Sequence, residues 1–233
     1  ADARSRMIDA FITNNPNPPG RLDRLVEPKD AGMWAYGGAH KAFHPLARGF
    51  VETYGYQDLY LVSASGQVVY SVKKNAAFAG DLTDEKLADT LLGQAYRRAV
   101  AMGANAIGRT VASDFGLYAG EVSGFILQPV VDSRRAVQGY VALRVNTDEL
   151  AAVANDPTGL GETGDVFIVG EDRTFRNASR FDGGAQALDA AGPGDHVDAM
   201  LAGETGVTIA TGQDGERSGI AYSPLGAGAP AWG

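Results

Sequence analysis

The order of short apolar stretches and turn signals constrains this chain more than any other feature. Asp58–Ser63 and Gln67–Val72 have the pattern of two strands, and Ala64-Ser65-Gly66 between them is a hairpin signal. Thr83–Met102 then has the pattern of a helix. Three further strands are predicted at Gly108–Phe115, Val122–Val131 and Gln138–Asn146. Two strands, a helix and three strands predict an antiparallel sheet with helical cover, which is an α+β fold.

The same order recurs in the second half of the chain. Asp165–Val169 repeats the pattern of Asp58–Val62 at a spacing of about 107 residues, which is the period of a small domain. The elements that follow are a strand, a helix and two strands, predicted at Thr174–Ser179, Asp195–Ala202, Val207–Thr211 and Ser218–Pro224. Trp232 would open a last strand, so we expect the second copy to lack it and the chain to be a fragment. The predicted organisation is an N-terminal helical segment (1–54), a first module (55–150) and a second module (151–233).

The N-terminal segment is predicted to contain two helices. Residues 1–13 have a helical pattern, and the prolines within 14–19 must end that helix because proline lacks a backbone N–H group. A second helix is predicted after His44, with Pro45 at its first position. The apolar stripe of this second helix would consist of Leu46, Phe50, Val51 and Tyr54.

Charge and composition exclude several classes of function. The net charge is −8, and residues 151–233 hold 12 acidic and 4 basic side chains. Because lysine and arginine are not clustered, nucleic acid and anionic membrane surfaces are not expected partners. The absence of cysteine excludes a disulfide scaffold, a thiol nucleophile and a zinc-thiolate site. No apolar run approaches ~18 residues, so no membrane span is predicted.

Two motifs that suggest chemistry lack the context they need. Gly159–Gly164 fits G-x-G-x-x-G, but a dinucleotide loop follows a strand and precedes a helix, whereas here a helix-like segment precedes and a strand follows. His40 and His44 would share one helical face, as two metal ligands can, but no third ligand is evident and structural roles are favoured. No nucleophile, base and orienting group form a catalytic set. We therefore expect no enzymatic activity, cofactor or metal.

Arg144 is the most informative polar residue within a predicted strand. Strict alternation places it on one face with Tyr140 and Ala142, and Val141 and Leu143 on the other. A lone buried arginine is costly. Arg144 must therefore reach solvent at a sheet edge, pair with an acid, or hold an anionic ligand, for which its guanidinium fork is suited.

Other polar residues occupy positions from which they could bind a ligand. Gln128 lies in the centre of an apolar strand, where its amide needs a partner. Asp114 and Tyr118 lie where the third strand runs into its turn, so they could overhang a pocket or simply form the turn. Tyr70 and Lys73 lie on the second strand and at its exit.

Several of these stretches resemble the double Cache sensor domains. The stretches that carry the resemblance are Gly55–Gly66, Val68–Lys74, Ser113–Tyr118, Gln128–Asp132, Gly139–Leu143, Gly159–Gly170 and Asn177–Phe181. Gly55–Gly66 and Val68–Lys74 resemble the opening hairpin of these domains. The three stretches from Ser113 to Leu143 resemble the later strands. Gly159–Gly170 and Asn177–Phe181 resemble the start of a second Cache module. Together they span roughly residues 40–232, and their order is more specific than any single motif.

The resemblance implies a fold and a cellular context. Double Cache domains are two stacked PAS-like modules carried on an N-terminal helix, in the extracytoplasmic part of bacterial chemoreceptors, histidine kinases and nucleotide cyclases. It implies a periplasmic location, anchoring through transmembrane helices outside this chain, and a homodimer in the whole receptor. In the family, the membrane-distal first module usually holds the small ligand, and the second module passes on the change.

This chain departs from the family's amino-acid-binding members. Those members carry an aromatic–Arg–Trp–Tyr cluster and a Tyr-x-Asp motif, which are absent here, and an Asp five residues after a glycine of the last distal strand. Counted from Gly139, that position is Arg144. Because a cation cannot hold an ammonium group, we expect an anion such as a carboxylate rather than an α-amino acid bound in the usual way. The expected ligand-binding residues are Tyr70, Lys73, Asp114, Tyr118, Phe125, Gln128 and Arg144. Of these, Phe125 and Gln128 are expected to form the pocket floor.

The sequence thus predicts the ligand-sensing domain of a bacterial transmembrane signal transducer, most simply a methyl-accepting chemotaxis receptor. One alternative is the sensor domain of a histidine kinase or nucleotide cyclase. Another is a Cache interaction module without a small ligand, whose pocket would be filled by its own side chains. A soluble nucleotide-binding enzyme would require a helix directly after Gly164.

Overall fold

Helices and short strands follow one another much as the sequence pattern predicts. The computed structural model describes residues 2–29, 34–192, 194–211, 215, 217–225 and 232–233. The helices are α1 (Ala3–Ile8, continued by a π-helical turn at Asp9–Thr13), α2 (Ala35–Tyr54), α3 (Glu85–Ala88), α4 (Leu91–Met102), α5 (Asp148–Ala154) and α6 (Asp195–Leu201). The strands are β1 (Asp58–Ser63), β2 (Val68–Ser71), β3 (Val111–Ala112), β4 (Gly116–Tyr118), β5 (Glu121–Val131), β6 (Val137–Val145), β7 (Gly206–Thr211) and β8 (Arg217–Tyr222). Short 3-10 turns lie at Leu22–Arg24 and Gly103–Ala106.

The chain divides into two compact units. The first unit contains Ala1–Ser113 and Gly124–Val145, and the second contains Asp114–Ser123 and Asn146–Gly233. This division differs from the predicted segments in two ways. The N-terminal residues group with the first unit, because Met7 and Phe11 are buried in one core cluster with Phe78 and Ala79. The hairpin 114–123 groups with the second unit rather than with the first module.

An antiparallel sheet forms the centre of the first unit. Its strand order is β2-β1-β6-β5-β3, and β4 pairs with β5. Every pairing along this order is antiparallel, as the α+β prediction requires. One face packs on α2 through Leu59, Tyr70 and Val72, with Val141 and Leu143 beside them. Because side chains alternate along a strand, Tyr60 and Arg144 point to the opposite face.

Helix α2 begins about ten residues earlier than the sequence pattern predicts. It runs from Ala35, so Pro45 lies inside it rather than at its first position. The predicted stripe was also wrong in part, since Leu46 is 73% exposed and Tyr54 is 65% exposed. The buried face instead follows a spacing of three and four residues and consists of Gly37, His40, His44, Ala47 and Val51. Burial of this face against the sheet offsets the cost of a proline inside the helix.

The helix predicted over Thr83–Met102 is two helices. A break at Asp89–Thr90 separates α3 from α4, and the Thr90 hydroxyl caps α4 by accepting from the Gly93 N–H at 3.2 Å. Gly93 is needed at this junction, because a Cβ there would lie 2.1 Å from the Leu87 carbonyl oxygen. Tyr96 then faces the core, where its ring meets Tyr140 edge-on.

The predicted strands differ in how well they form. Asp58–Ser63 is confirmed residue for residue, and β5 and β6 match their predictions within one residue at each end. The strand predicted over Gly108–Phe115 is reduced to Val111–Ala112. In the second unit, the strands predicted over 165–169 and 174–179 form only isolated bridges, which pair Val169 with Phe175 and Thr174 with Ala190.

The second unit has a small sheet and a separate core. β7 and β8 pair in antiparallel register, and Val169, Phe175, Val197 and Met200 form a buried cluster. Gly233 exchanges two backbone hydrogen bonds with Val169, at 2.7 and 3.1 Å. The motif 159–164 forms turns between α5 and a non-helical segment, so it lacks the helix that a dinucleotide loop needs. Among the described residues, no helix has the length and apolar character to cross a membrane.

Candidate functional site

Two predicted site residues meet on the sheet face that points away from α2. The β5–β6 register places Phe125 directly opposite Arg144, and the β1–β6 register places Asp58 on the other side of Arg144. All three side chains are buried, with exposed fractions of 1% for Phe125, 6% for Arg144 and 0% for Asp58. Directly opposed residues of neighbouring strands share one face of a sheet. The structure therefore brings an aromatic ring, a guanidinium and a carboxylate into one buried row.

Asp58 is held by a dense set of donors. Its Oδ1 accepts from the backbone N–H groups of Leu59, Val72 and Lys73 at 2.8, 2.9 and 3.0 Å. Its Oδ2 accepts from the amide of Asn75 at 2.8 Å. Burial raises the pKa of Asp58 to about 6, while these hydrogen bonds act in the opposite direction. The carboxylate thus has a fixed position at the edge of the row, and it ties the exit of β2 to β1.

Tyr70 lies on the opposite face of the sheet from Arg144. It packs in the cluster below α2, and its hydroxyl is 2.6 Å from Nδ1 of His44. Nε2 of His44 is 2.6 Å from the carbonyl oxygen of Asp23, which can only accept. His44 must therefore carry its proton on Nε2 and accept from Tyr70 at Nδ1. Burial lowers the pKa of His44 to about 4, so the ring is neutral near neutral pH.

His40 and Lys74 complete this buried cluster. The ring of His40 stacks on that of His44 at a centroid distance of 4.5 Å, and its Nδ1 donates to the Val26 carbonyl at 3.0 Å. The Lys74 ammonium lies 4.5 Å from the centre of the Tyr70 ring and donates to the Ser71 carbonyl. Burial lowers the pKa of Lys74 to about 7 and that of His40 to about 3. In the described part of the chain, no group of three acidic or histidine side chains could hold a metal ion.

Lys73 and Gln128 do not join the row at Arg144. The Lys73 side chain is 39% exposed and lies 3.4 Å from Oδ2 of Asp23. Gln128 is exposed and donates to the Thr110 hydroxyl at 3.0 Å. Gln128 and Phe125 are three residues apart in one strand, so they point to opposite faces. The expectation that they form one pocket floor is therefore wrong.

Asp114 and Tyr118 belong to the second unit. Asp114 accepts both arms of the Arg176 guanidinium, with Nε–Oδ1 and Nη2–Oδ2 distances of 2.7 Å, and it also accepts from the indole of Trp232 at 2.8 Å. Arg176 has a completely buried side chain, and it also donates to Asp172 at 2.7 Å. Tyr118 lies on β4, half-buried, opposite Glu121. Asp114 is thus committed to a structural ion pair of this unit.

Sequence reasoning missed several buried polar residues. Asp58 could have been found, because alternation along the first predicted strand places it on the same face as Tyr60. His44 was expected to have a structural role, and its two hydrogen bonds within the fold agree with that expectation. For Lys74, the sequence offers only its position after the second predicted strand, next to Lys73. Arg176 carries almost none, since its partner Asp114 lies 62 residues away in the sequence.

Comparison of the sequence alone finds no relative. No protein-family profile matches the chain, and no curated protein matches it.

Comparison of the structure with solved structures finds proteins of similar fold. The periplasmic sensory domain of the Campylobacter jejuni chemoreceptor Tlp1 matches with a TM-score of 0.52 at 12% identity, over 98% of this chain and 86% of that one. The ligand-binding domain of the C. jejuni chemoreceptor Tlp3, in complex with 4-methylisoleucine, matches with a TM-score of 0.51 at 12% identity, over 88% and 76%. The extracellular domain of rpHK1S-Z16, which is named as a histidine kinase, matches with a TM-score of 0.51 at 12% identity, over 91% and 89%. The chain therefore has the fold of the Cache-type sensory domains of bacterial receptors.

Proposed function

We propose that this chain is the extracytoplasmic sensing domain of a bacterial transmembrane signal transducer, of the chemotaxis-receptor type, and that its first unit binds a small organic anion. In this proposal the chain carries no catalytic activity. It lies in the periplasm, is anchored by helices outside this sequence, and works as a homodimer in the whole receptor. Ligand binding would shift the first unit toward its bound state, and the second unit would pass the shift toward the membrane.

The observation that carries the proposal is the buried row at Arg144 in a sensory-domain fold. A guanidinium is the side chain best suited to grip a carboxylate through two parallel hydrogen bonds. Arg144 lies beside the ring of Phe125, which would cover the apolar part of a ligand. Asp58 lies on its other side in the β1–β6 register, where four donors already occupy its carboxylate. The positive charge of Arg144 and the Phe125 ring support an anion with an apolar part as the ligand.

A specific observation favours the interaction module as the second candidate. On the same face as Arg144, Tyr60 and Phe125 are 0% and 1% exposed, and their ring centres are 5.8 Å apart. Such packing fits a module whose pocket is filled by its own side chains and which signals through a partner chain. Whether the chain binds a small ligand therefore distinguishes the sensing domain from the interaction module.

Isothermal titration calorimetry of the chain with short mono- and dicarboxylates, and with free amino acids, tests the proposal. We expect an organic acid to bind and Arg144→Gln to lose that binding. Arg134→Gln is the matched control, because Arg134 is exposed in the β5–β6 turn and the charge change is the same. Arg144→Lys, which keeps the charge but not the fork, should bind weakly. Circular dichroism on each variant separates loss of binding from loss of fold.

Two results would overturn the proposal. Unchanged affinity in a folded Arg144→Gln protein would remove Arg144 from the site. Absence of binding to every carboxylate and amino acid would favour the interaction module. The receptor type has its own test: a chimera with the membrane and cytoplasmic parts of a chemoreceptor should give a swimming response to the acid found by calorimetry, and no response would refute the chemotaxis assignment.

A further inference from the structure

A basic cleft of the first unit lies beside α2, and Arg144 is not among its lining residues. It has a volume of about 440 Å³ and opens between the 3-10 turn Leu22–Arg24, helix α2 and the exit of strand β2. Its charged lining consists of four basic and two acidic side chains: Arg21, Arg24, Arg48, Lys73, Asp23 and Glu52. Arg144 points to the sheet face away from α2 and does not line the cleft, although the cleft and the row at Arg144 adjoin where the Lys73 N–H donates to Asp58.

The cleft has an excess of positive charge that its own acids do not neutralise. Asp23 lies 3.4 Å from Lys73, and Glu52 lies 3.5 Å from Arg48. Arg21 and Arg24 are exposed, and neither is paired with a carboxylate among the residues that the structure describes. The cleft therefore has two positive charges in excess, in a chain whose net charge is −8.

The elements that carry these cations are held in place. The carbonyl oxygen of Asp23, at the centre of the 3-10 turn, accepts from Nε2 of His44 on α2 at 2.6 Å. His44 and Arg48 are one helical turn apart, so Arg48 lies next to the anchored turn. Lys73 is fixed at its backbone, whose N–H donates to Asp58 at 3.0 Å. A cation on a fixed element loses less freedom when it binds an anion than one on a mobile loop.

We propose that this cleft binds a small polyanion with at least two negative charges. Two guanidinium groups without acidic partners can each form paired hydrogen bonds to one anionic group. The two ion pairs in the cleft are partly exposed, and pairs of that kind are weak enough to exchange their acid for a ligand. Polycarboxylates and phosphates share the required chemistry, so the probes must separate them.

The test is isothermal titration calorimetry of the whole chain with citrate and, separately, with inorganic phosphate, in a buffer that contains neither. The cleft variant is Arg21→Gln combined with Arg24→Gln. The control is Arg109→Gln combined with Arg134→Gln, two exposed positions outside the cleft with the same total change of charge. We expect the cleft variant to lose affinity on the order of tenfold or more, because two charge-assisted contacts disappear. The control should stay within about twofold, since distant charges are screened beyond ~8 Å at about 0.15 M salt.

The outcomes assign the ligand or overturn the site. Binding of citrate alone identifies a polycarboxylate site, and comparable binding of phosphate identifies a phosphate site. Absence of binding for both probes, or an equal loss in the cleft and control variants, would overturn the proposal. Arg144→Gln should leave citrate or phosphate binding in the cleft unchanged, so failure at Arg144 and failure at the cleft can be told apart.

Discussion

Acidification should destabilise the first unit, because two buried histidines must then be protonated. His40 and His44 stack on each other below the N-terminal segment, and their neighbours include the Lys74 ammonium, the Tyr70 ring and Asp23. Burial and the nearby Lys74 lower the pKa of His40 to about 3 and that of His44 to about 4. In the unfolded chain both would titrate near ~6.5.

The sign and size of the effect follow from proton counting. Each histidine has a lower pKa in the folded state, so its stability contribution is complete above pH ~6.5 and is lost as the pH falls. Between pH ~6.5 and pH ~5, each histidine costs about 2 kcal/mol of unfolding free energy. Asp58 acts against this loss of stability, because its raised pKa of about 6 means that the folded state binds a proton at a higher pH than the unfolded state does. This proton uptake offsets about 1 kcal/mol of the loss. Lys74 is protonated in both states over most of this range. The expected net loss is about 3 kcal/mol.

Urea unfolding at several pH values measures this loss. A Trp232→Phe background leaves Trp34 as the single tryptophan, and Trp34 reports on the first unit because its ring lies 6.3 Å from that of Phe11. The comparison protein carries His40→Asn and His44→Gln, which keep one amide donor near each accepting carbonyl. It should be nearly independent of pH over this range or slightly more stable at the acidic end. If the unfolding free energy of the wild type does not change with pH, or if the comparison protein shows the same loss, the two histidines are not its cause.

Two further predictions concern packing. Arg176→Met leaves Asp114 without its buried partner and should cost about 3 kcal/mol of the second unit's unfolding free energy. Arg173→Met breaks a partly exposed pair and should cost under about 1 kcal/mol. Urea unfolding followed by Trp232 fluorescence in a Trp34→Phe background measures both, and equal costs would contradict the burial argument. Gly93→Ala should destabilise the first unit by about 2 kcal/mol or more, because a Cβ there collides with backbone carbonyl oxygens. Gly38→Ala has open space around it and should stabilise the first unit by up to about 1 kcal/mol. Thermal unfolding of the two variants should give melting-temperature shifts of opposite sign.

Local patterns predicted the first sheet well. β1, β5 and β6 contain short apolar runs that are bounded by polar and glycine-containing turns, and such boundaries leave little choice of strand limits. Helix α2 was misplaced because its buried face contains His40 and His44, which are not counted as apolar, and because Pro45 was assigned to a helix start. The break before α4 depends on the side-chain cap from Thr90, which a periodicity argument overlooks.

The candidate site was harder to predict, because it depends on contacts between distant parts of the chain. Alternation placed Arg144 on a strand face, but only the pairing of β1 with β6 brings Asp58 beside it. The pairing of Asp114 with Arg176 connects residues that a local pattern cannot relate. The cleft at Arg24 likewise forms only after the N-terminal turn is anchored to His44.

A thermal-shift screen can show whether the first unit binds a small organic anion at Arg144. The panel contains organic acids, amino acids, purines, polyamines and divalent metals, and each is measured on the wild type, Arg144→Gln and the cleft variant. A ligand at about 100-fold excess over its Kd stabilises the folded state by about 2.7 kcal/mol. We expect one class of carboxylates to raise the melting temperature of the wild type and of the cleft variant but not of Arg144→Gln. The claim of binding at Arg144 is contradicted if no carboxylate raises the melting temperature of the cleft variant, or if every such rise persists in Arg144→Gln.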